Sequence, residues 1–573
     1  MASGYGQVSG SNPAEQGKNK MFVVAGSSII LVACVFAVTV SVSRHGADSS
    51  SGGGATLQTT SKSIQSICQP TDYKQECESS LVASGADNET DPKKLVQMIF
   101  DATIERVREG MNHSSLLQKA AEDPRTQKAL EACNELLDYA VDDLRNSVEK
   151  FASMEMSRVG EAVDDLRVWL SAAITYQQTC LDGFENTTGD TAESMAKALN
   201  SSAALTSNTL AVVDEISSVL NSFQITPINR RLLSSEDEEF PAWVHGPKRR
   251  LLALSPEQIE PNVTVAKDGS GQFKTIAEAV AAAPDNSDQV FVIYVKEGVY
   301  QEYVQVDRKK MNLAMIGDGA TKTKITGNLN FVDGTPTFKT ATLGVVGDGF
   351  IMRDFGVENS AGAAKHQAVA LRVQSDKSVF YRCQMDGYQD TLYAHTKRQF
   401  YRECTISGTI DFLFGDSPTI FQNCLLLVRR PLDNQQCICT AQGRKDRREA
   451  TAIVLHNCTI SADESLKAEQ GKFLVYLGRP WKEYSRTLFV QSQIDDLIDP
   501  AGWMPWLGDF GLNTCFYAEV DNRGPGSDTA KRATWRGVKK IDLGHAQMFT
   551  VSHFIQGETW LPATGVPFTP GLL

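Results

Sequence analysis

The chain has 573 residues, of which 42% are hydrophobic and 22% charged, as in a globular rather than a disordered protein. A chain of this length predicts two or more domains. Its formal net charge of −13 is uneven, because residues 1–252 carry 33 acidic and 22 basic side chains, whereas residues 253–573 carry 36 and 34. The nearly neutral second half argues against nucleic acid as a partner, since phosphate binding needs a strongly basic surface.

An apolar, charge-free segment near the N-terminus predicts a membrane-spanning helix. It covers residues 21–43 and follows Lys18 and Lys20. A spanning helix needs ~20 residues, whereas the apolar part of a cleaved signal peptide has only ~7–15. We therefore expect a signal-anchor at 21–43, with residues 1–20 in the cytoplasm and the rest of the chain in the secretory pathway.

Sequence features of secreted proteins follow this segment. Six Asn-x-Ser/Thr triplets are candidate glycosylation sites in that compartment, where cysteines can also form disulfides. Cys34 lies inside the apolar segment and cannot form a lumenal bridge. The candidate asparagines are Asn88, Asn112, Asn186, Asn200, Asn262 and Asn457.

Residues 61–224 predict an all-α four-helix bundle, joined to the anchor by a Ser/Gly-rich linker at 44–60. Apolar residues recur there at spacings of three and four, for example between 96 and 111 and between 137 and 151. Two disulfides are predicted, one local and one between helices: Cys68–Cys77 and Cys133–Cys180.

A second linker, at 225–252, contains the tetrapeptide Arg-Arg-Leu-Leu twice. Basic pairs also occur by chance in solvated loops, but two identical strings at a domain boundary of a secreted chain favour proteolytic processing. The residues are Arg230, Arg231, Leu232 and Leu233, then Arg249, Arg250, Leu251 and Leu252.

From residue 253 onward the pattern predicts an all-β right-handed parallel β-helix. Short β-branched and aromatic segments alternate with Gly, Asp and Asn, and similar segments recur along the chain. Cys383 and Cys404 are 21 residues apart, and Cys404 and Cys424 are 20 apart. Such a repeat is typical of a solenoid. An antiparallel sandwich is the alternative, although it lacks a fixed repeat.

Two aspartates share this repeat. Asp390 and Asp411 are 21 residues apart, so they are expected at equivalent points of adjacent coils, ~4.8 Å from strand to strand. Two such carboxylates cannot ionise independently, which suits an ionised nucleophile beside a protonated general acid. The alternative is that both are ordinary turn residues.

Six sequence blocks resemble those of plant pectin methylesterases, in the order that the family has them. The blocks are GVYQE (298–302), QAVALR (367–372), GYQDTLY (387–393), DFLFG (411–415), TAQGR (440–444) and LGRPW (477–481). The resemblance implies an ester hydrolase that removes methyl groups from homogalacturonan and needs no metal or cofactor.

The same resemblance implies residue roles. Asp411 corresponds to the nucleophile and Asp390 to the general acid and base. Gln367 and Gln389 correspond to the donors that stabilise the oxyanion, and Arg479 to the partner of Asp411, whose pKa it should lower. The implied substrate-binding residues are Tyr393, Phe414, Trp481, Gln367 and Thr337.

The helical segment resembles pectin methylesterase inhibitors through its four cysteines and the string QQTCLDGF (177–184). This implies a pro-domain at 61–224 that masks the active site or assists folding. Removal at an Arg-Arg-Leu-Leu site by a subtilisin-like protease would give a monomeric enzyme of residues 253–573 in the extracellular cell wall. Its expected partners are methyl-esterified homogalacturonan, its own pro-domain or a separate inhibitor, and the membrane before processing.

The remaining cysteines allow fewer conclusions. The resemblance implies a Cys424–Cys458 disulfide. Cys437 and Cys439 depart from the family pattern, but no second pair with metal-ligand spacing exists, so we expect buried thiols on opposite faces of one strand.

Two kinds of alternative function remain open. A β-helix lyase or glycosidase would also carry acidic residues, and it would shorten the polymer. A catalytically silent pectin-binding or inhibitor protein is the other, although the complete set of candidate catalytic residues argues against it.

Overall fold

The computed structural model describes residues 62–111, 123–154, 159–185, 187, 190–222 and 260–573. Within these ranges no helix combines the length and the apolar character that crossing a membrane requires. The predicted anchor at 21–43, both Arg-Arg-Leu-Leu strings, Asn112 and Asn186 lie outside the described residues.

The described residues between 62 and 222 form the predicted helical bundle, with two short helices and four long ones. Lys93, near the start of one long helix, donates to the carbonyl of Ala152 at the end of the next, so these two neighbours are antiparallel. Asp123 caps the helix that begins at Pro124 by accepting from two backbone amides. The helices are α1 (62–68), α2 (Lys74–Ala83), α3 (Pro92–Met111), α4 (Pro124–Ala152), α5 (Val159–Asp182) and α6 (Thr191–Ser222).

Both disulfides predicted for this bundle are confirmed. Cys68 and Cys77 join the end of α1 to α2, with their Cα atoms 5.7 Å apart. Cys133 of α4 and Cys180 of α5 join two long helices, with Cα atoms 4.3 Å apart. The second bridge therefore fixes the two helices that face the rest of the molecule.

Residues 263–539 wind into three parallel sheets, which confirms the β-helix. The first sheet contains β1 (Val263–Val265), β2 (Phe291–Val295), β5 (Leu313–Gly317), β8 (Ile351–Arg353), β11 (Ser378–Tyr381), β14 (Gln399–Arg402), β17 (Pro418–Gln422), β20 (Ala452–His456), β23 (Arg486–Val490), β25 (Phe516–Val520) and β26 (Val538–Lys539). The second contains β3 (Gly298–Gln301), β6 (Thr323–Gly327), β9 (Gly356–Asn359), β12 (Gln384–Asp386), β15 (Thr405–Gly408), β18 (Leu425–Val428), β21 (Thr459–Ala462) and β24 (Gln493–Ile494). The third contains β4 (Val304–Val306), β7 (Leu343–Val345), β10 (Leu371–Val373), β13 (Leu392–Ala394), β16 (Leu413–Gly415), β19 (Cys437–Gln442) and β22 (Val475–Gly478). A short helix, α7 (Ile276–Ala282), lies between β1 and β2.

The interior of the β-helix is built from equivalent residues of successive coils. Phe380, Tyr401 and Phe421 stack face to face, with ring centroids 4.7 and 4.5 Å apart. Arg382 follows β11 and Glu403 follows β14. Both adopt the left-handed backbone conformation, with φ of 51° and 54°. The recurring sequence segments are therefore coils in register, each closed by the same turn.

The cysteines of the β-helix correct one prediction. Cys424 and Cys458 are unbonded, so the disulfide implied by resemblance is not formed. In-register stacking places them on adjacent coils. Each thiol donates to a backbone carbonyl of the preceding coil: Cys424 to that of Tyr401 at 3.5 Å, and Cys458 to that of Phe421 at 3.3 Å.

Cys437 and Cys439 are both buried in the core of the β-helix. Side chains two residues apart on a strand point to the same face. The expectation that they lie on opposite faces of β19 is therefore wrong.

The bundle lies on the third sheet, with α4 and α5 against it. Asp143 of α4 is completely buried and pairs with Arg308 and, at 3.1 Å, with Lys397. Asp165 of α5 pairs with Arg398 at 2.7 Å. Each of these ion pairs joins the bundle to the β-helix. Because a buried charge that loses its partner is costly, the pairs fix the position of the bundle on the sheet.

Candidate active site

Asp390 and Asp411 lie on adjacent coils, as the repeat predicts. Each precedes a strand of the third sheet by two residues, and those strands are paired through Leu392 and Leu413. The amide of Asp390 donates to the carbonyl of Ile410 at 3.0 Å, next to Asp411. Both aspartates adopt the left-handed conformation, with φ of 63° and 49°. Non-glycine residues rarely do so outside turns and functional sites.

Arg479 binds both carboxylate oxygens of Asp411. Its Nε donates to Oδ1 at 2.8 Å and its Nη2 to Oδ2 at 2.5 Å. This bidentate geometry is the strongest and most directional arrangement of an arginine with a carboxylate. Arg479 follows β22, so the third sheet supplies both partners.

The two carboxyl groups differ in their surroundings. Burial, followed by the charge of Asp411, raises the pKa of Asp390 well above its usual value. Burial also raises the pKa of Asp411, and the opposing effect of Arg479 is smaller. Arg479 thus lowers the pKa of Asp411 as expected, but burial raises it by more, so the net pKa of Asp411 in the intact chain is above its usual value. Among the described residues, Asp411 is paired with a cation and Asp390 with none, so the surroundings of the two groups favour protonation of Asp390 first.

Gln367 and Gln389 lie side by side at one end of this pair. Their backbones form an isolated parallel bridge, and the amide of Ala368 donates to the carbonyl of Gln389 at 3.2 Å. Both side chains line the same cavity as the aspartates. The structure therefore places the two glutamines on adjacent coils in the same cavity as the aspartates.

Aromatic side chains form a wall of the cavity. Tyr393 and Phe414 stack with centroids 4.2 Å apart, and Trp481 meets both rings at a steep angle, at 6.3 and 5.8 Å. Thr337 also lines the cavity. The predicted substrate-binding residues are thus brought together, on a surface suited to the apolar faces of sugar rings.

Comparison with known proteins agrees with this geometry. Residues 262–558 match the family model described as Pectinesterase, and residues 62–212 match the model described as Plant invertase/pectin methylesterase inhibitor. The chain belongs to the pectinesterase family. It hydrolyses pectin methyl esters and carries an inhibitor-like N-terminal domain. The family match favours the esterase over the three alternatives, a lyase, a glycosidase and a catalytically silent binding protein.

Relatives of the pectinesterase family match nearly the whole chain. A probable pectinesterase/pectinesterase inhibitor 21 of Arabidopsis thaliana is 48% identical over 97% of this chain and 83% of its own length. A second Arabidopsis thaliana relative, probable pectinesterase/pectinesterase inhibitor 58, is 45% identical over 96% and 98%. Among solved structures, the pectin methylesterase from carrot is 51% identical, with a TM-score of 0.54, and covers 55% of this chain and 99% of its own. That share is about the length of the β-helix half of this chain, residues 260–573.

The bundle supplies residues of the site that the sequence did not predict. Thr179, Asp182 and Glu185, at the end of α5 and just after it, line the same cavity, whose volume is about 230 Å³. Thr179 also contacts the hydroxyl of Tyr393 at 3.3 Å and Nε2 of His395 at 2.8 Å. The string QQTCLDGF contains Thr179 and Asp182 but does not indicate that they line the site, because their position depends on how the two domains dock.

Two further aromatic residues of this pectinesterase site were missed. Phe338 lines the cavity beside Thr337, and Trp506 lies 4.2 Å from the guanidinium carbon of Arg479. Trp506 lies outside the blocks on which the resemblance depends, in an irregular segment. The short string WMPW (503–506) is the one available signal, since tryptophan is enriched at binding surfaces.

The predicted glycosylation sites differ in accessibility. Asn88, Asn200 and Asn262 are exposed. Asn457 is half-buried, and its Nδ2 donates to Oδ1 of Asn423 at 2.9 Å. Asn457 is therefore the least accessible of the four candidate asparagines that the structure describes.

Proposed function

We propose that Asp411 is the nucleophile and Asp390 the general acid and base of pectin methyl-ester hydrolysis, and that the docked bundle keeps the site closed before processing. The supporting observation is the arrangement of the two aspartates. Asp411 is bound through both oxygens by Arg479, whereas the adjacent Asp390 has a pKa raised by burial and by the charge of Asp411. One carboxylate is therefore suited to attack and the other to donate a proton.

In the first step Asp411 attacks the carbonyl carbon of a galacturonate methyl ester. The carbonyl oxygen becomes an oxyanion that the side-chain amides of Gln367 and Gln389 stabilise, each donor contributing about 3 kcal/mol. The bond to the methoxy group then breaks, and Asp390 gives its proton to the departing methanol. An acyl-enzyme, in which galacturonate is bound to Asp411, remains.

In the second step the ionised Asp390 takes a proton from water. The resulting hydroxide attacks the acyl carbon, and the bond to Asp411 breaks. Galacturonate leaves as the carboxylic acid, and both aspartates return to their starting protonation states. One water is consumed and one methanol released for each ester, and the sugar chain is not cut.

The bundle prevents this reaction by occupying the cleft. Thr179, Asp182, Gly183 and Glu185 line the cavity that contains both aspartates, and α5 lies along the third sheet. A polymer of galacturonate needs an open groove, and about 230 Å³ beneath a helix does not provide one. Removal of the bundle would open the groove without any change in the catalytic residues.

The wider proposal concerns the route of the chain. Residues 21–43 anchor the precursor in the membrane of the secretory pathway, and a subtilisin-like protease cuts after one of the Arg-Arg-Leu-Leu strings. The product, near residues 253–573, acts as a monomer in the extracellular cell wall. Support comes from the charge-free apolar segment, from the repeated string, and from the exposed sequons at Asn88, Asn200 and Asn262.

Methanol release from highly methylated pectin tests this function. A chain of residues 253–573 should release methanol without lowering the viscosity of the polymer and without calcium, whereas the uncut chain of residues 44–573 should be silent. Asp390→Asn in the shorter chain should lower kcat by about 10²–10⁴, because it removes the proton donor. Polymer shortening would refute the esterase mechanism, and equal activity of the two chains would refute the masking role of the bundle.

A further inference from the structure

Lys482 is a cation of the catalytic domain whose ion-pair partner belongs to the bundle. Its Nζ lies 2.6 Å from Oδ1 of Asp182, a residue that lines the catalytic cavity. It also lies 4.9 Å from the ring centroid of Trp481, on the wall of the cleft. Among the described residues, Asp182 supplies the only carboxylate within ion-pair distance of Lys482.

The carboxylate of Asp182 is held in the cleft by this lysine. Its second oxygen, Oδ2, is buried and has no hydrogen-bond partner among the described residues. Burying a carboxylate oxygen without a partner is costly. The contact with Lys482 is therefore what stabilises a carboxylate at this point of the catalytic cleft.

We infer that Lys482 is a specificity-determining residue, which binds the carboxylate of a de-esterified galacturonate next to the ester being hydrolysed. This rests on the proposed function, because it assumes that the polymer lies in this cleft. When the bundle is removed, Lys482 keeps its place beside Trp481 but loses Asp182. The polymer can restore the charge pairing only where a galacturonate carries a free carboxylate, since a methyl ester is neutral.

The bundle thus places the carboxylate of Asp182 where the carboxylate of a de-esterified galacturonate would lie. Asp182 places a carboxylate beside the aromatic wall and the catalytic aspartates, where the polymer would place one of its own. Lys482 follows directly on the LGRPW block, so its position is fixed by the segment that also places Arg479. The enzyme should consequently bind partly de-esterified polymer better than fully esterified polymer.

The test compares two substrates and three variants of the 253–573 chain. Lys482→Met keeps the length of the side chain and removes its charge, and Lys482→Arg keeps the charge. Arg447→Met is the matched control, because Arg447 also loses a carboxylate of the bundle, that of Asp72 at 2.8 Å, and Asp72, unlike Asp182, does not line the catalytic cavity. Methanol release gives kcat and KM on fully methyl-esterified and on partly de-esterified polygalacturonate.

Lys482→Met should raise KM for the partly de-esterified polymer about fivefold, with kcat unchanged and KM for the fully esterified polymer altered less than about twofold. Lys482→Arg should behave as wild type, and so should Arg447→Met. An equal change on both substrates, a fall in kcat alone, or no change at all would overturn the inference.

Calorimetric binding of polygalacturonate separates this inference from the proposed function, because binding needs no catalysis. The Lys482→Met chain should bind this polymer about fivefold more weakly than wild type. If the wild type released no methanol, the proposed function would fail, and this binding measurement would still decide the role of Lys482.

Discussion

Replacing Asp143 by Asn in the uncut chain should release part of the masked activity. Asp143 lies on α4 and its side chain is 0% exposed, against Arg308 and Lys397 of the β-helix. The substitution preserves the shape of the side chain but removes its charge. Lys397, which is itself only 2% exposed, would then lose its nearest carboxylate.

The size of the effect follows from the burial of the pair. Removing one partner of a buried ion pair costs about 3–5 kcal/mol. Asp348 remains 3.6 Å from Lys397 and compensates in part, which places the expected loss near the lower end. A loss of about 3 kcal/mol from docking would raise the fraction of undocked chain about 150-fold. Methanol release by the uncut chain should rise by about two orders of magnitude, or up to the rate of the cut enzyme.

Asp142→Asn is the matched control for this experiment. Asp142 binds the same arginine, Arg308, at 2.8 Å, but its side chain is 44% exposed. An exposed ion pair contributes about 0–1 kcal/mol, so activity should rise less than about fivefold. The assay is methanol release from methylated pectin by uncut chains, with circular dichroism to verify that the bundle remains helical. Equal activation by both variants, or silence of a folded Asp143→Asn chain, would refute the reasoning.

Three further predictions concern single parts of the molecule. Arg479→Met should move the acid limb of the kcat/KM profile of the 253–573 chain to higher pH, because loss of Arg479 raises the pKa of Asp411, which must be ionised to attack; an unmoved limb would contradict this. Gln389→Ala should lower kcat about 10²-fold with little change in KM, as measured by methanol release, since its amide is needed only for the oxyanion; a pure KM effect would contradict that role. Replacing Cys133 and Cys180 together by Ala should lower the free energy of unfolding of the bundle by about 4 kcal/mol in urea titration, because their bridge closes a segment of 47 residues; a loss below about 1 kcal/mol would show that the bridge does not limit the unfolded chain.

The repeat in the sequence predicted the fold and the adjacency of Asp390 and Asp411. A 21-residue offset relates Asp390 to Asp411, and the structure has the same offset between the paired residues Leu392 and Leu413. In a parallel β-helix, equal spacing along the chain places residues side by side. The family blocks then supplied Gln367, Gln389 and Arg479, which no spacing argument would have joined to that pair.

What the sequence did not predict depends on the contact between the two domains. Thr179, Asp182 and Glu185 are ordinary polar residues near the end of a helix, and they enter the site because α5 docks on the third sheet. Burial also raises the pKa of Asp411 by more than Arg479 lowers it, which the LGRPW block alone does not indicate. The direction in which a side chain points across such a contact is not encoded in any local pattern.

The role of Asp411 as nucleophile is the central claim, and one comparison tests it most directly. Methanol release from highly methylated pectin would be measured for the 253–573 chain as wild type, as Asp411→Asn and as Asp386→Asn. Asp386 is the matched control, because it lies on β12 of the second sheet and bonds to Ser407 outside the cavity. The account predicts methanol from the wild type and from Asp386→Asn, and none above background from a folded Asp411→Asn chain. Methanol release by Asp411→Asn at the wild-type rate would contradict it.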